Sequence, residues 1–137
     1  MLLYPFFCTY GDNKEELVSF YKEIKPIFQA NCNGCHQPAK MRGDYLMTDF
    51  ASLLEGGETG KLAIISGKPE DSYLIDQIKL NDQGLSEMPK GPKSKPLHPD
   101  EVFKIEKWIK QGAIDDSPKG SDSVFSMDNK PVYQTLP

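Results

Sequence analysis

Apolar side chains recur at helical spacing in the first third of the chain. From Asp12 onward they follow steps of three and four residues, in the order Leu17, Phe20, Tyr21, Ile24, Ile27 and Phe28. This period predicts a helix with one apolar stripe, and Asp12 or Asn13 is available as its N-cap. Pro26 lacks a backbone donor and crowds the preceding turn, so we expect a kink there, or two helices that meet at this proline.

Two shorter helices are predicted in the middle of the chain. Residues 37–43 are typical of a loop, after which Thr48 can cap a helix that runs to Leu54 and ends at a pair of glycines. The next helix is predicted over residues 69–80. Its buried side consists of Leu74, Ile75 and Ile78.

The last third holds a long loop and then the most clearly marked helix. Residues 81–99 contain four prolines and two glycines, so neither a helix nor a strand is expected to persist there. Pro99 fits the first position of the following helix, and Gly112 ends it. The inward face of this helix consists of Val102, Ile105, Trp108 and Ile109. Because no internal repeat or parallel-sheet pattern occurs, the sequence predicts an all-α domain with long loops.

Composition and charge exclude several classes of protein. A chain of 137 residues, 38% of them apolar, predicts a single small soluble domain. The net charge of −4 lacks the basic excess of nucleic-acid-binding proteins, so we expect no nucleic-acid partner. No apolar stretch approaches the roughly 20 residues of a membrane-spanning helix. Three cysteines do not make a disulfide-dense scaffold, so they need another explanation.

The segment Cys32-Asn33-Gly34-Cys35-His36 supplies that explanation, since it follows the c-type haem attachment pattern. On a helical turn, residues spaced by three and four lie on one face, so Cys32, Cys35 and His36 point the same way. Two thiols can then form thioethers with the two vinyl groups of one porphyrin, while the imidazole reaches the iron. We therefore predict covalently bound haem c, with His36 as an iron ligand.

Cys32, Cys35 and His36 could also belong to a zinc site or a redox pair, but each of these needs further ligands or a structural context that the sequence supplies poorly. A zinc site takes four ligands, and only Cys8 and His98 remain as candidates beside this turn. A thioredoxin-like redox pair needs a βαβ context, which the pattern lacks.

The second axial position of a haem iron is often taken by a thioether sulfur, and the chain has five methionines. Met88 is the predicted ligand, because it lies far from His36 in the proline-rich loop and Pro89 restricts the backbone that presents it. Met47 alternates with Tyr45, which is typical of a core position. Two alternatives stay open: Met88 fills the core, or His98 ligates the iron in its place.

Four further segments accompany the haem motif. They are residues 53–60 (LLEGGETG), 67–72 (GKPEDS), 88–89 (MP) and 108–113 (WIKQGA). With Lys25-Pro26-Ile27-Phe28, this combination resembles the planctomycete-type cytochrome c domain, a compact relative of class I c-type cytochromes, from about Ile24 to Ala113. The resemblance implies an all-α cytochrome c fold whose first and last helices pack beside a covalently attached haem, with His36 and Met88 as axial ligands.

The resemblance divides the chain into three parts. Residues 1–13 are interpreted as a remnant of a signal or anchor, or as a disordered N-terminus; residues 14–114 as the cytochrome c domain; and residues 115–137 as a tail or linker. Cys8 is either a lipid anchor or a free thiol. Covalent haem attachment is completed outside the bacterial inner membrane, so the resemblance implies a periplasmic or cell-surface protein.

The predicted function is that of a monohaem c-type cytochrome carrying single electrons between redox partners. No nucleophile and base arrangement is visible, so the domain alone is not expected to be an enzyme. Lys90, Lys93 and Lys95 form either a docking ring for an acidic partner protein or simply a solvated loop. The alternatives are a haem domain of a larger exported oxidoreductase, and a gas sensor whose methionine ligand is displaced.

Overall fold

The computed structural model of the chain describes residue 11 and residues 14–119. Helices predominate in these residues, and one two-stranded antiparallel hairpin accompanies them. In chain order the elements are a π-helix (Phe20–Ile24), α1 (Lys25–Asn31), β1 (His36–Gln37), β2 (Lys40–Met41), a 3-10 helix (Arg42–Asp44), α2 (Phe50–Glu55), a 3-10 helix (Pro69–Asp71), α3 (Tyr73–Ile78) and α4 (Pro99–Lys110).

The first helical segment begins at Phe20, so the predicted start at Asp12 is wrong. Ser19 is the N-cap: its hydroxyl accepts the N–H of Lys22 at 3.0 Å, and Glu23 accepts the N–H of Ser19 at 2.9 Å. This reciprocal pair satisfies free backbone donors at the helix start. Two helical elements meet next to Pro26, as expected, because proline is tolerated in the first turn of α1.

The predicted loop at residues 37–43 is in part a hairpin, which corrects the all-α prediction to a mainly helical fold. His36 pairs with Met41 and Gln37 with Lys40. Pro38 occupies the turn between these pairs, where its fixed φ suits the first turn position. The hairpin ties the end of the Cys-x-x-Cys-His segment back onto the chain that follows.

Both predicted middle helices are present, but their ends are shifted. Asp49, not Thr48, caps α2, because its carboxylate accepts the N–H of Ser52 at 2.9 Å. α2 ends at Gly56, whose φ of +96° favours glycine. α3 ends at Ile78 and buries Leu74, Ile75 and Ile78 as predicted.

The long loop and the last helix match the prediction closely. No helix or strand occurs between α3 and α4. His98 caps α4 by accepting the N–H of Asp100 on Nδ1 at 3.2 Å, while its own N–H is donated to Glu101 at 3.0 Å. The four predicted inward residues of α4 are all buried.

The first and last helical segments pack against each other, as the resemblance implied. Phe20 stacks on Trp108 with ring centroids 5.2 Å apart, and Phe50 meets both rings edge-on. The Trp108 side chain is 1% exposed and its indole N–H is donated to the carbonyl of Ile114 at 2.9 Å. Trp108 is therefore a core residue whose polar atom is satisfied within the protein.

The ends of the chain are only partly described. The carboxylate of Asp116 accepts the N–H of Tyr21 at 2.8 Å, so contact with the domain continues past Ile114. Residues 1–10, 12–13 and 120–137 lie outside the described residues, and the interpretations of Cys8 and of the two terminal segments stay predictions. None of the helices in the described ranges has the length and apolar character needed to cross a bilayer.

Candidate cofactor site

The Cys-x-x-Cys-His segment forms a tight turn directly after α1. Cys32 is the C-cap of that helix, and its carbonyl accepts the N–H groups of both Cys35 and His36 at 3.1 Å. The bond to His36 spans four residues, as in a helical turn, but His36 itself already belongs to β1. The three side chains are thus gathered by one carbonyl at the junction between a helix and a hairpin.

The imidazole of His36 is oriented by a backbone carbonyl. Its Nδ1 lies 3.2 Å from the carbonyl oxygen of Tyr45. A carbonyl can only accept, so Nδ1 is the donor of this hydrogen bond, and in the corresponding neutral tautomer the lone pair is on Nε2. An imidazole held this way presents Nε2 as a ligand atom, and its hydrogen-bonded Nδ1 makes that atom a stronger donor.

Tyr45 is a site residue that the sequence analysis treated only as part of a core alternation. Its hydroxyl is donated to the carbonyl of Leu53 in α2 at 2.7 Å, and its ring centroid lies 5.4 Å from that of His36. Burial raises the pKa of the phenol well above its ordinary value. The hydroxyl therefore stays protonated and donates over the whole physiological pH range.

Two adjoining cavities meet at the haem-motif turn. One has a volume of about 280 Å³ and the other about 210 Å³, and Cys32, His36 and Met88 line both of them. Cys35 lines the smaller cavity, while Tyr45 lines the larger one. The larger cavity is closed by apolar side chains, among them Ala63, Leu74 and Ile78. We refer to the two cavities together as the slot.

The walls of the slot come only in part from the first and last helices that the resemblance suggested. α3 and the segment before it supply the apolar side, and the end of α1 contributes Ala30 and Asn31. Residues of α4 do not line either cavity. The carboxylate of Glu101 in α4 is near enough to the turn to help raise the pKa of Cys32.

Met88 reaches the slot from the long loop. Its N–H is donated to the carbonyl of Gln77 at 2.8 Å, and its carbonyl accepts the hydroxyl of Ser86 at 2.7 Å. Met47 also lines the larger cavity, but its N–H is donated to the carbonyl of His36 at 2.9 Å and its side chain is only 6% exposed. Met47 is thus hydrogen-bonded to the segment that carries the imidazole of His36, whereas Met88 belongs to a separate segment of the chain.

The rival iron ligand His98 is not brought to the slot. His98 lies on the surface as the cap of α4 and lines neither cavity. Cys8 falls outside the described residues. Across residue 11 and residues 14–119, no group of three or more His, Cys, Asp or Glu side chains converges to hold a metal ion. The zinc alternative therefore finds no four-ligand set in this part of the chain.

The electrostatics of the turn keep its first thiol neutral. Burial, reinforced by the negative charge of Glu101, raises the pKa of Cys32 to about 12. Arg42 and Lys90 line both cavities and are exposed to solvent. The slot thus combines an apolar interior with charged side chains at its exposed part, where Glu58 of the larger cavity accompanies the two cations.

These residues fit a covalently attached haem. Two thiols and an imidazole whose Nδ1 faces a backbone carbonyl lie on one turn, and the side chain of Met88 lines the same slot from a different segment. Apolar walls suit a porphyrin, and cations at the exposed part suit its carboxylates.

Comparison with known proteins agrees with this donor set. The family model described as Planctomycete cytochrome C matches residues 32–92, somewhat under half of the 137-residue chain. The matched segment runs from the first thiol of the turn to just past Met88. No match was found among curated proteins or among solved structures. Residues 32–92 are thus similar to the planctomycete cytochrome c family, and this similarity suggests haem-based electron transfer.

Proposed function

We propose that this chain is a monohaem c-type cytochrome that carries single electrons between redox partners. The observation that carries the proposal is the slot, where both motif cysteines, the imidazole of His36 and the sulfur-bearing side chain of Met88 line adjoining cavities. Such a set of donors has one common use, which is to hold an iron porphyrin.

Each residue of the set has a separate role. Cys32 and Cys35 would tether the porphyrin, and His36 would ligate the iron through Nε2. Met88 would supply a further ligand to the iron from its separate segment. When bound, the haem supplies a one-electron iron couple.

The protein around the slot favours the reduced state. The apolar side chains of Ala63, Leu74 and Ile78 exclude water from one side of the slot. A low dielectric disfavours the more highly charged ferric centre, and a thioether ligand acts in the same direction. We expect a reduction potential on the high side for haem proteins.

The lysines of the long loop give the exposed part of the slot a local positive charge. Lys90 lines both cavities, and Lys93 and Lys95 are exposed close to it in sequence. Lys90 lies 3.5 Å from Glu87, but both side chains are about two-thirds exposed, so this ion pair is weak. These lysines would speed the encounter with an acidic redox partner. Since covalent haem attachment is completed outside the inner membrane, the proposed location is the periplasm or the cell surface.

Visible and near-infrared spectra of the haem-matured protein test the proposal. We expect pigment that acidified acetone cannot extract, a reduced-minus-oxidised spectrum of a c-type haem, and a weak near-infrared sulfur-to-iron band. Met88→Ala should lose that band, whereas Met41→Ala, at an exposed methionine that lines neither cavity, should keep it. Colourless protein would refute the function, and a band that survives in Met88→Ala would refute the assignment of Met88.

The same protein separates a carrier from a gas sensor. A carrier whose sixth ligand stays bound should react slowly with carbon monoxide in the reduced state at neutral pH. Rapid binding by the unmodified protein would favour the sensor instead.

A further inference from the structure

Tyr45 connects the predicted iron ligand to the buried residue Leu53 of α2 through two hydrogen bonds. The carbonyl of Tyr45 accepts from Nδ1 of His36 at 3.2 Å, and its hydroxyl donates to the carbonyl of Leu53 at 2.7 Å. Leu53 is fully buried in α2. One end of the connection is therefore the imidazole, and the other is one of the most deeply buried points of the core.

The backbone of Tyr45 is fixed on further sides. A Cβ atom built on Gly57 would lie 2.9 Å from Cβ of Tyr45 and 3.2 Å from its nitrogen, so the two backbones touch. The N–H of Tyr45 is donated to the carbonyl of Arg42 at 3.3 Å. The N–H and the Cβ are thus constrained by local contacts, whereas the hydroxyl provides the attachment to α2.

From these contacts we propose that the Tyr45 hydroxyl is a positioning group that sets the reduction potential, by anchoring the Tyr45 carbonyl against Nδ1 of His36. The inference rests on the proposed haem function. It adds a residue that acts through the ligand without touching the iron.

The direction of the effect follows from the chemistry of imidazole. A hydrogen bond from Nδ1–H to a carbonyl increases electron density at Nε2, which stabilises the ferric state more than the ferrous state. If the anchor is removed, the carbonyl is held less firmly and this hydrogen bond weakens. The ferric state then loses stabilisation, and the reduction potential rises.

Phenylalanine at position 45 removes the anchor while keeping the ring. In the haem-loaded protein, Tyr45→Phe should raise the reduction potential and leave the sulfur-to-iron band in place. NMR of the reduced, diamagnetic protein should show the Nδ1 proton of His36 exchanging with solvent about tenfold faster, which corresponds to the net strength of one neutral hydrogen bond.

Two control variants separate positioning from other consequences of the substitution. Tyr21→Phe makes the same chemical change at a tyrosine that is 41% exposed and lines neither cavity, so its potential should equal that of the unmodified protein. Ser72→Ala destabilises the fold at a buried residue that lines neither cavity. It should lower stability without changing the potential.

The outcomes distinguish this inference from the proposed function. A coloured Tyr45→Phe protein with unchanged potential and unchanged Nδ1 exchange overturns the role of Tyr45 and leaves the cytochrome assignment intact. An equal rise in potential for Ser72→Ala also overturns it, because the cause would then be lost stability. Absence of covalent pigment from the unmodified protein overturns the proposed function and this inference together.

Discussion

Ser72 provides the sharpest test of how the segment before α3 is held in the fold. It is fully buried, and its hydroxyl serves two backbone groups at once. The oxygen accepts the N–H of Ile65 at 2.9 Å, and the hydroxyl is donated to the carbonyl of Lys68 at 2.8 Å. These bonds join the start of α3 to the segment that contains Ala63, a wall residue of the larger cavity.

Ser72→Ala removes both bonds and adds no new partner. Each backbone group that loses its partner away from water costs about 1 to 1.5 kcal/mol. The carbonyl of Lys68 keeps a second donor, the N–H of Asp71 at 3.2 Å, so the loss at this carbonyl is smaller than that at the N–H of Ile65. We expect the free energy of unfolding to fall by about 2 kcal/mol.

Chemical denaturation of the haem-loaded protein, followed by circular dichroism, measures this difference. The midpoint should fall while the slope of the unfolding free energy with denaturant stays constant. Ser66→Ala is the matched control, since its hydroxyl also donates to a backbone carbonyl, that of Gly112 at 2.7 Å, but the residue is exposed. It should lose only about 0.5 kcal/mol. Equal, small losses in the two variants would refute the reasoning.

Two further substitutions test the packing beside the slot and the start of the fold. A Cβ atom on Gly57 would collide with the carbonyl oxygen of Gly43, so Gly57→Ala should destabilise the protein by about 1 to 3 kcal/mol in thermal unfolding; a melting temperature equal to that of the unmodified protein would contradict this contact. The pKa of Glu23 is lowered below its ordinary value of 4.5, first by the N–H of Ser19 and then by Lys104. Its carboxylate therefore adds stability above pH 4.5 that is lost as the pH falls through the lowered pKa. In Glu23→Gln the free energy of unfolding should fall less at acidic pH than in the unmodified protein. An equal fall in the two proteins would show that other groups cause it.

Helices with strong local signals were predictable from the sequence, and those that depend on competing caps were not. α4 combines a continuous apolar stripe with Pro99 in its first turn and acidic residues beside it, and all these signals agree. The sequence offered Asp12 and Asn13 as caps of the first helical segment, whereas the cap in the structure is Ser19. Ser19 and Glu23 form the reciprocal pair of hydrogen bonds there. Because Glu23 lies one residue beyond the usual capping-box spacing, this pair was not evident from the sequence.

The hairpin escaped prediction because its strands are too short to show a period. Each has two residues, and alternation of apolar and polar positions needs about four or more residues to be recognised. What holds the hairpin is its position after the haem-motif turn, with the carbonyl of Cys35 accepting the N–H of Arg42 at 2.9 Å. This hydrogen bond joins two backbone groups that are separated in sequence. Because all residue types carry such groups, the sequence does not reveal the contact.

The dependence on backbone contacts also explains which parts of the site could be predicted from the sequence. The predicted ligands are side chains with distinctive chemistry, so a thiol, an imidazole and a thioether can be named from the sequence. What places them is a set of backbone carbonyls: that of Cys32 gathers the turn, that of Tyr45 orients His36, and that of Gln77 holds Met88. Every residue carries a carbonyl, so residue identity does not reveal which of them accept these bonds. The side chains that aim the carbonyls, as the Tyr45 hydroxyl does, are therefore where substitutions should change the properties of the site without removing a ligand.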